Sequence, residues 1–159
     1  VGFALPGDFL GLAASGKYSY TAEAIAPSQA CRFKRSELGD LFGRFPKMER
    51  RLLDIANAEL NAAQEQMVLL GRKSPVEKVA SFLLGLSKRL ERLGQTGPIF
   101  TLPMARADIA DFLGLPVETV SPTFTKLKAA HAIGLPTPER VHFTNPRLLE
   151  ALATGEVTL

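Results

Sequence analysis

The sequence predicts an α+β chain with a β-rich N-terminal stretch, one long helix, and a helix-turn-helix closed by a β-hairpin wing. Three observations predict it. Residues 46–70 have no Gly or Pro after Pro46 and repeat apolar residues at heptad spacing. Residues 104–128 carry a small residue, a glycine and an apolar residue at the intervals needed where two short helices cross. Residues 133–143 read as two short strands about Pro136-Thr137-Pro138-Glu139.

The composition sets bounds. The 159 residues are 46% apolar and 22% charged, enough for one compact domain or two small ones. No apolar run approaches the roughly 18 residues of a membrane span. The single cysteine, Cys31, excludes an internal disulfide framework and an all-cysteine zinc site, and His131 and His142 are the only histidines. A soluble, cytoplasmic protein is the expectation. Val1-Gly2-Phe3-Ala4-Leu5 has neither an initiator Met nor a signal-peptide pattern, and reads as the start of a piece of something longer. The net charge of +3 is uneven: residues 1–71 carry eight basic and eight acidic groups, residues 72–159 eleven and eight. A basic half suits a polyanionic partner, and an ordinary solvated helix face explains it as well.

In chain order, residues 1–36 read as β. Pro6-Gly7-Asp8 and Ser15-Gly16-Lys17 are turn clusters, Tyr18 to Ile25 alternates like a strand, and Ala30 to Phe33 looks like a short last strand. So few strands close no stable sheet, and their partners are expected upstream. Ser36 to Phe42 suits a short helix. Pro46 then opens the long helix, which Gly71 is expected to end. Leu53, Ala56, Leu60, Ala63, Met67 and Leu70 are spaced 3, 4, 3, 4 and 3 apart, and Leu52, Ile55 and Val68 lie on a neighbouring face. One stripe can pack on the chain's own domain while the other forms a seam with a second copy. A single broad core-facing stripe in a monomer is the alternative. No seam position carries an acid to repel a second copy, so a dimer needing no effector is expected of the intact protein.

Ser74-Pro75-Val76-Glu77 reads as a capping box with Pro at the first helical position. The helix it opens puts Val79, Phe82, Leu83, Leu86 and Leu90 on one face and stops at Gly94; Phe100-Thr101-Leu102 suits a short strand. In the helix-turn-helix, Ala110 is the small residue at the crossing, Gly114 the left-handed turn and Val120 the apolar residue facing back. A helical hairpin that does not bind DNA has similar spacing. Pro146 to Ala153 reads as a terminal helix.

This order resembles the C-terminal two-thirds of the CRP/FNR family of bacterial transcription regulators, within its FNR and FixK branch, over essentially the whole chain. The resemblance rests on Leu5-Pro6-Gly7-Asp8, on Leu69-Leu70-Gly71-Arg72-Lys73 leading into Ala80-Ser81-Phe82-Leu83, and on Asp108 to Leu115 followed by Val117-Glu118-Thr119-Val120-Ser121. It implies the C-terminal part of a double-stranded, cupin-like β-roll sensor at 1–45, a dimerisation helix at 46–71 and a winged helix-turn-helix DNA-binding domain at 72–159. It implies double-stranded DNA, a second copy of the chain and RNA polymerase as partners, with no membrane. Glu118 and Ser121 take the base-reading positions: Glu accepts from a cytosine amino group, and Ser reads permissively. Arg106 and Thr119 take backbone-contacting positions, which hold register. Two recognition helices in a dimer imply a palindromic operator.

Three departures from the family pattern weaken the expected DNA binding. Pro122 stands where the family has an Arg that grips guanine, removing a base contact worth about 1–3 kcal/mol. Inside a helix it costs roughly 3 kcal/mol more; in an alternative register Ser121 is the N-cap and Pro122 the first helical residue. Ala105 fills a Ser/Thr cap position, at a cost of about 1 kcal/mol. His131 replaces a turn glycine, a mild cost because His tolerates the left-handed conformation. A dimerisation or protein-interaction module with degraded sequence-specific DNA binding is therefore the second reading.

For the sensor, the stretch Phe9 to Ala13 and Tyr18 to Ala22 lacks the Glu and Arg of the family's cyclic-nucleotide site, which argues against cAMP. Cys31 matches the fourth ligand of the FNR [4Fe-4S] cluster, whose other three lie N-terminal to this region. FixK-type relatives lack the cluster, and an isolated Cys equally suits a small hydrophobe. The expectation is no cofactor in these 159 residues, with a cluster in the full-length protein left open. No Ser/His/acid set, Cys/His set or phosphate-cradling loop supports an enzyme.

Overall fold

In the computed structural model, residues 2–11, 17–18, 20–95 and 97–159 are described. The chain divides into two compact units, one over Phe3–Gln66 and one over Met67–Leu159 with Gly2.

Within the first unit, Leu5–Asp8 forms a turn closed by the Asp8 N–H on the Leu5 carbonyl at 3.0 Å, with Gly7 at φ 88°. The Asp8 carboxylate accepts from the Leu5 N–H at 2.7 Å. The strands expected at Tyr18 to Ile25 and Ala30 to Phe33 do not form among the described residues. A strand exists only through a paired neighbour, and none is present there; Tyr18, Ile25 and Phe33 are exposed. Ser15-Gly16 and Leu12-Ala13 lie outside the described residues. Helix α1 (Arg35–Arg44) follows, then α2 (Pro46–Arg72). Gly71 does not end α2 as expected; the helix continues through it to Arg72. The stop is set by Ser74, which precedes Pro75 and is extended at φ −65°, ψ 164°.

Core burial begins in the second unit. No described residue before Lys78 is buried. Helix α3 (Pro75–Arg92) opens with the expected capping box: the Ser74 N–H donates to Glu77 Oε2 at 2.8 Å, and the Glu77 N–H reaches Ser74 Oγ at a long 3.4 Å. Val79, Phe82, Leu83, Leu86 and Leu90 are all buried, as the periodicity predicts. Gly94 leaves the helix at φ 81°. Strand β1 (Ile99–Thr101) precedes α4 (Arg106–Leu113) and α5 (Val117–Ala129). A wing of β2 (Ile133–Thr137) and β3 (Arg140–Phe143) comes next, and α6 (Pro146–Thr154) ends the order. The strands form one antiparallel sheet in the order β1-β3-β2. Register pairs Phe100 with Val141 and Gly134 with His142, and shifts between Gly134 and Thr137, where Pro136 has no N–H to give. Gly134 is required by close approach: a Cβ there would collide with the His142 ring.

The core joins α3, α4, α5, the sheet and α6 through Leu83, Ile109, Leu113, Phe124, Val141 and Leu149, each below 3% exposed. Edge-on contact of Phe100 with Phe143, centroids 5.4 Å apart, closes the sheet side. Among the described residues, no helix is long and apolar enough to cross a membrane.

Candidate nucleic-acid interface

The helix-turn-helix forms as its spacing predicts. Ala110 is fully buried where α4 meets α5, Gly114 adopts φ 57°, and the Leu115 N–H returns to the Ala110 carbonyl at 3.0 Å. Val120 faces back into the core at 0% exposure. Ala105 caps α4 without a side-chain acceptor, but its own N–H donates to Asp108 Oδ2 at 2.8 Å. Half a capping box therefore survives at that end. His131 takes the left-handed turn after α5 at φ 58°.

The register of α5 is settled against the alternative in which Ser121 caps it. The helix begins at Val117, and Pro122 lies inside it. Pro122 has no N–H for the Glu118 carbonyl, yet the helix continues. Two threonine hydroxyls turn back onto neighbouring carbonyls: Thr123 Oγ1 donates to Thr119 O at 2.7 Å, and Thr125 Oγ1 to Ser121 O at 3.2 Å. Glu118, Ser121, Pro122 and Thr125 lie at i, i+3, i+4 and i+7, and all four are exposed along one ridge of α5.

Two clefts flank that ridge. On the wing side a cleft of about 410 Å³ brings together Arg106, Ser121, Thr125, Lys128 and Thr137. On the other side Glu118, Thr119, Pro122 and Lys126 line a cavity of about 510 Å³ with the start of α3 and residues 157–159. Of the four residues expected to meet DNA, Arg106 and Ser121 line the wing-side cleft and Glu118 and Thr119 the other. Arg106 is tied more firmly than sequence reasoning foresaw. Its guanidinium lies 3.4 Å from the centroid of the Phe124 ring, and one terminal nitrogen donates to the Pro138 carbonyl of the wing at 2.7 Å. Burial pushes its pKa below the ordinary value. Phe124 and Pro138 lie 18 and 32 residues away in sequence, beyond any local spacing signal.

Lys78, one of the basic residues of 72–159, is a second residue whose role no local spacing signals. It is 7% exposed, and its ammonium donates to the Leu113 carbonyl at 3.1 Å. A cation there satisfies the last turn of α4, just before Gly114. Lys73 does the same for α6, donating to the Ala153 carbonyl at 2.8 Å and to Ser81 Oγ at 2.7 Å.

Of the expected seam residues on α2, Leu53, Leu60, Met67 and Leu70 are 61%, 57%, 65% and 43% exposed. Ala63 is exposed and Ala56 half-buried, as are Leu52 and Ile55 on the neighbouring face. Cys31 is exposed, so a small buried hydrophobe does not describe it here. Among the described residues no group of three or more His, Cys, Asp or Glu could hold a metal. Cys31 therefore lacks the companion thiolates a [4Fe-4S] cluster needs, and the described residues do not fit that group.

A family model described as a Crp-like helix-turn-helix domain matches residues 77–152. The chain is 48% identical over 155 residues to the transcriptional activatory protein AadR of Rhodopseudomonas palustris, covering 98% of this chain and 64% of that protein. It is 46% identical over 155 residues to the nitrogen fixation regulation protein FixK of Bradyrhizobium diazoefficiens, covering 98% and 65%. The chain thus spans just under two thirds of the length of these relatives. Among solved structures, FixK2 from Bradyrhizobium japonicum superposes with a TM-score of 0.68 at 36% identity, covering 76% of this chain and 59% of that one. Residues 77–152 thus form a winged domain of the Crp-like helix-turn-helix kind, and nearly the whole chain is similar to transcription regulators of the AadR and FixK type.

Proposed function

We propose that this chain is the dimerising and DNA-binding part of a CRP/FNR-type transcription activator that binds a palindromic site as a homodimer in oxygen- or redox-responsive control. The carrying observation is the exposed ridge of α5, flanked by a wing cleft that holds Arg106 and Lys128. Acceptors and hydroxyls on the ridge suit base edges, and cations beside it suit phosphates. The relatives are named as a transcriptional activator and a nitrogen fixation regulator, which supports the regulatory role, with RNA polymerase as the partner of an activator. The role is non-catalytic and cytoplasmic. In this reading residues 46–71 dimerise through Leu53, Ala56, Leu60, Ala63, Met67 and Leu70, residues 72–159 bind DNA, and residues 1–45 belong to a sensor domain. Glu118 and Ser121 read bases; Arg106 and Thr119 hold the backbone. No cyclic nucleotide is required. Any iron–sulfur cluster would belong to the full-length protein, with Cys31 as one of its ligands.

Pro122 inside α5 favours a second reading, a dimerisation module whose sequence-specific DNA binding has decayed. Selection from random palindromic duplexes, followed by titration across salt, separates the two. The first reading expects an enriched half-site and an affinity falling steeply with salt. The second expects no enriched half-site and retained self-association.

A further inference from the structure

The outward ridge of α5 is unusually poor in donors. Glu118 offers only acceptors once ionised. Of the ridge's two hydroxyls, that of Thr125 is turned onto the helix, its Oγ1 donating to the Ser121 carbonyl at 3.2 Å, which leaves Ser121 to offer one outward. That bond leaves the Thr125 methyl as the part of the side chain not tied to the backbone. Between them stands Pro122, exposed, held inside the helix, and without a side-chain donor or acceptor. Pro122 and Thr125 are three apart, so their apolar atoms lie side by side on the helix surface. Lys126 and Lys128 follow on either side, placed for phosphates rather than for the centre of a groove.

In the major groove the one apolar feature that distinguishes a base is the C5-methyl of thymine. We infer that Pro122 and Thr125 form a thymine-methyl reading patch, so the chain prefers thymine where a guanidinium at position 122 would select guanine. This rests on the DNA-binding reading above and assigns a specificity to part of its surface. Pro122 is then a specificity determinant, not merely the loss of one. The proline ring cannot rotate away, so the patch is preformed.

The test uses the chain and a palindromic duplex obtained by selection. Each thymine of the half-site is replaced in turn by uracil, which removes the methyl and leaves every hydrogen-bonding group. At one thymine per half-site, burial of a methyl against apolar carbon predicts a loss of about fourfold in affinity, and about fifteenfold when both halves are changed. In Pro122→Gly that uracil penalty shrinks, while uracil at other thymines acts as before. Pro122→Arg should move the preference at that base pair towards guanine. If the selected duplex binds tightly and specifically but no thymine-to-uracil change matters, the methyl patch is overturned and the DNA-binding reading stands. If no duplex is selected at all, both fall together.

Discussion

Single residues carry backbone costs that the fold absorbs, and two of them give direct stability tests. His131 sits at φ 58°, where an L-residue with a Cβ is strained by about 1–2 kcal/mol. Glycine removes that strain but adds chain entropy of about 0.5–1 kcal/mol to the unfolded state. His131→Gly should therefore stabilise slightly, raising Tm by about 2–4 °C in a thermal melt; a lower Tm would mean the imidazole makes a compensating contact. Lys78 is the opposite case, a buried cation whose ammonium ends on the Leu113 carbonyl at 3.1 Å. Methionine keeps the stem's volume and deletes the bond. Lys78→Met should lose about 1–2 kcal/mol in urea unfolding, the part of a charge-assisted hydrogen bond that survives the ammonium's own desolvation. An unchanged midpoint would show that the two cancel. His131's left-handed turn is legible through the glycine that the family pattern has at that position, whereas nothing near Lys78 signals a partner 35 residues away.

At the scale of elements, legibility follows how local the cause is. The α3 cap needs only Ser74, Pro75 and Glu77 and was readable outright, as was the crossing of α4 and α5 through Ala110, Gly114 and Val120. The strands expected between Tyr18 and Phe33 do not form among the described residues, because alternation describes a surface that a strand buries only against a paired neighbour, and none pairs with it there. The end of α2 was misplaced by two residues because a helical glycine costs only about 1 kcal/mol, less than the extended geometry that Pro75 imposes on Ser74. The cap itself is pH-sensitive. Hydrogen bonds from the Ser74 side chain and backbone, helped by the Lys73 charge, hold the Glu77 carboxyl below its ordinary value of 4.5. Its stabilisation is complete above that value and is lost as pH falls through the lower folded-state pKa. Glu77→Gln should thus be less stable than the parent at pH 7, with the gap closing below about pH 4.5. A gap constant with pH would place the effect in packing rather than charge.

For the whole molecule, the question is whether self-association and DNA binding are one property or two. The +3 of charge lies entirely in residues 72–159, while the exposed leucines and Met67 of the heptad stripe lie in residues 53–70. A single winged domain has few cations near its ridge, so one half-site alone should bind weakly and with a shallow salt slope. Joining two domains converts the second contact into an intramolecular one at high effective concentration, which raises affinity without any new contact. Leu60, 57% exposed at the centre of the stripe, is the residue on which to test this. Leu60→Glu places like charges face to face across a seam of two copies, and its exposure means the monomer's fold loses little. Sedimentation should show the parent as a dimer and the variant as a monomer at micromolar concentration. Binding to a full palindrome should then fall by one to several orders of magnitude, within the range of about 10²–10⁴ expected for lost avidity. The salt slope should fall to about half, because each binding event then releases the counterions of one domain rather than two. Affinity for an isolated half-site should not change. A variant that stays dimeric would remove α2 as the seam, and a monomer that binds the palindrome as tightly as the parent would separate the two properties.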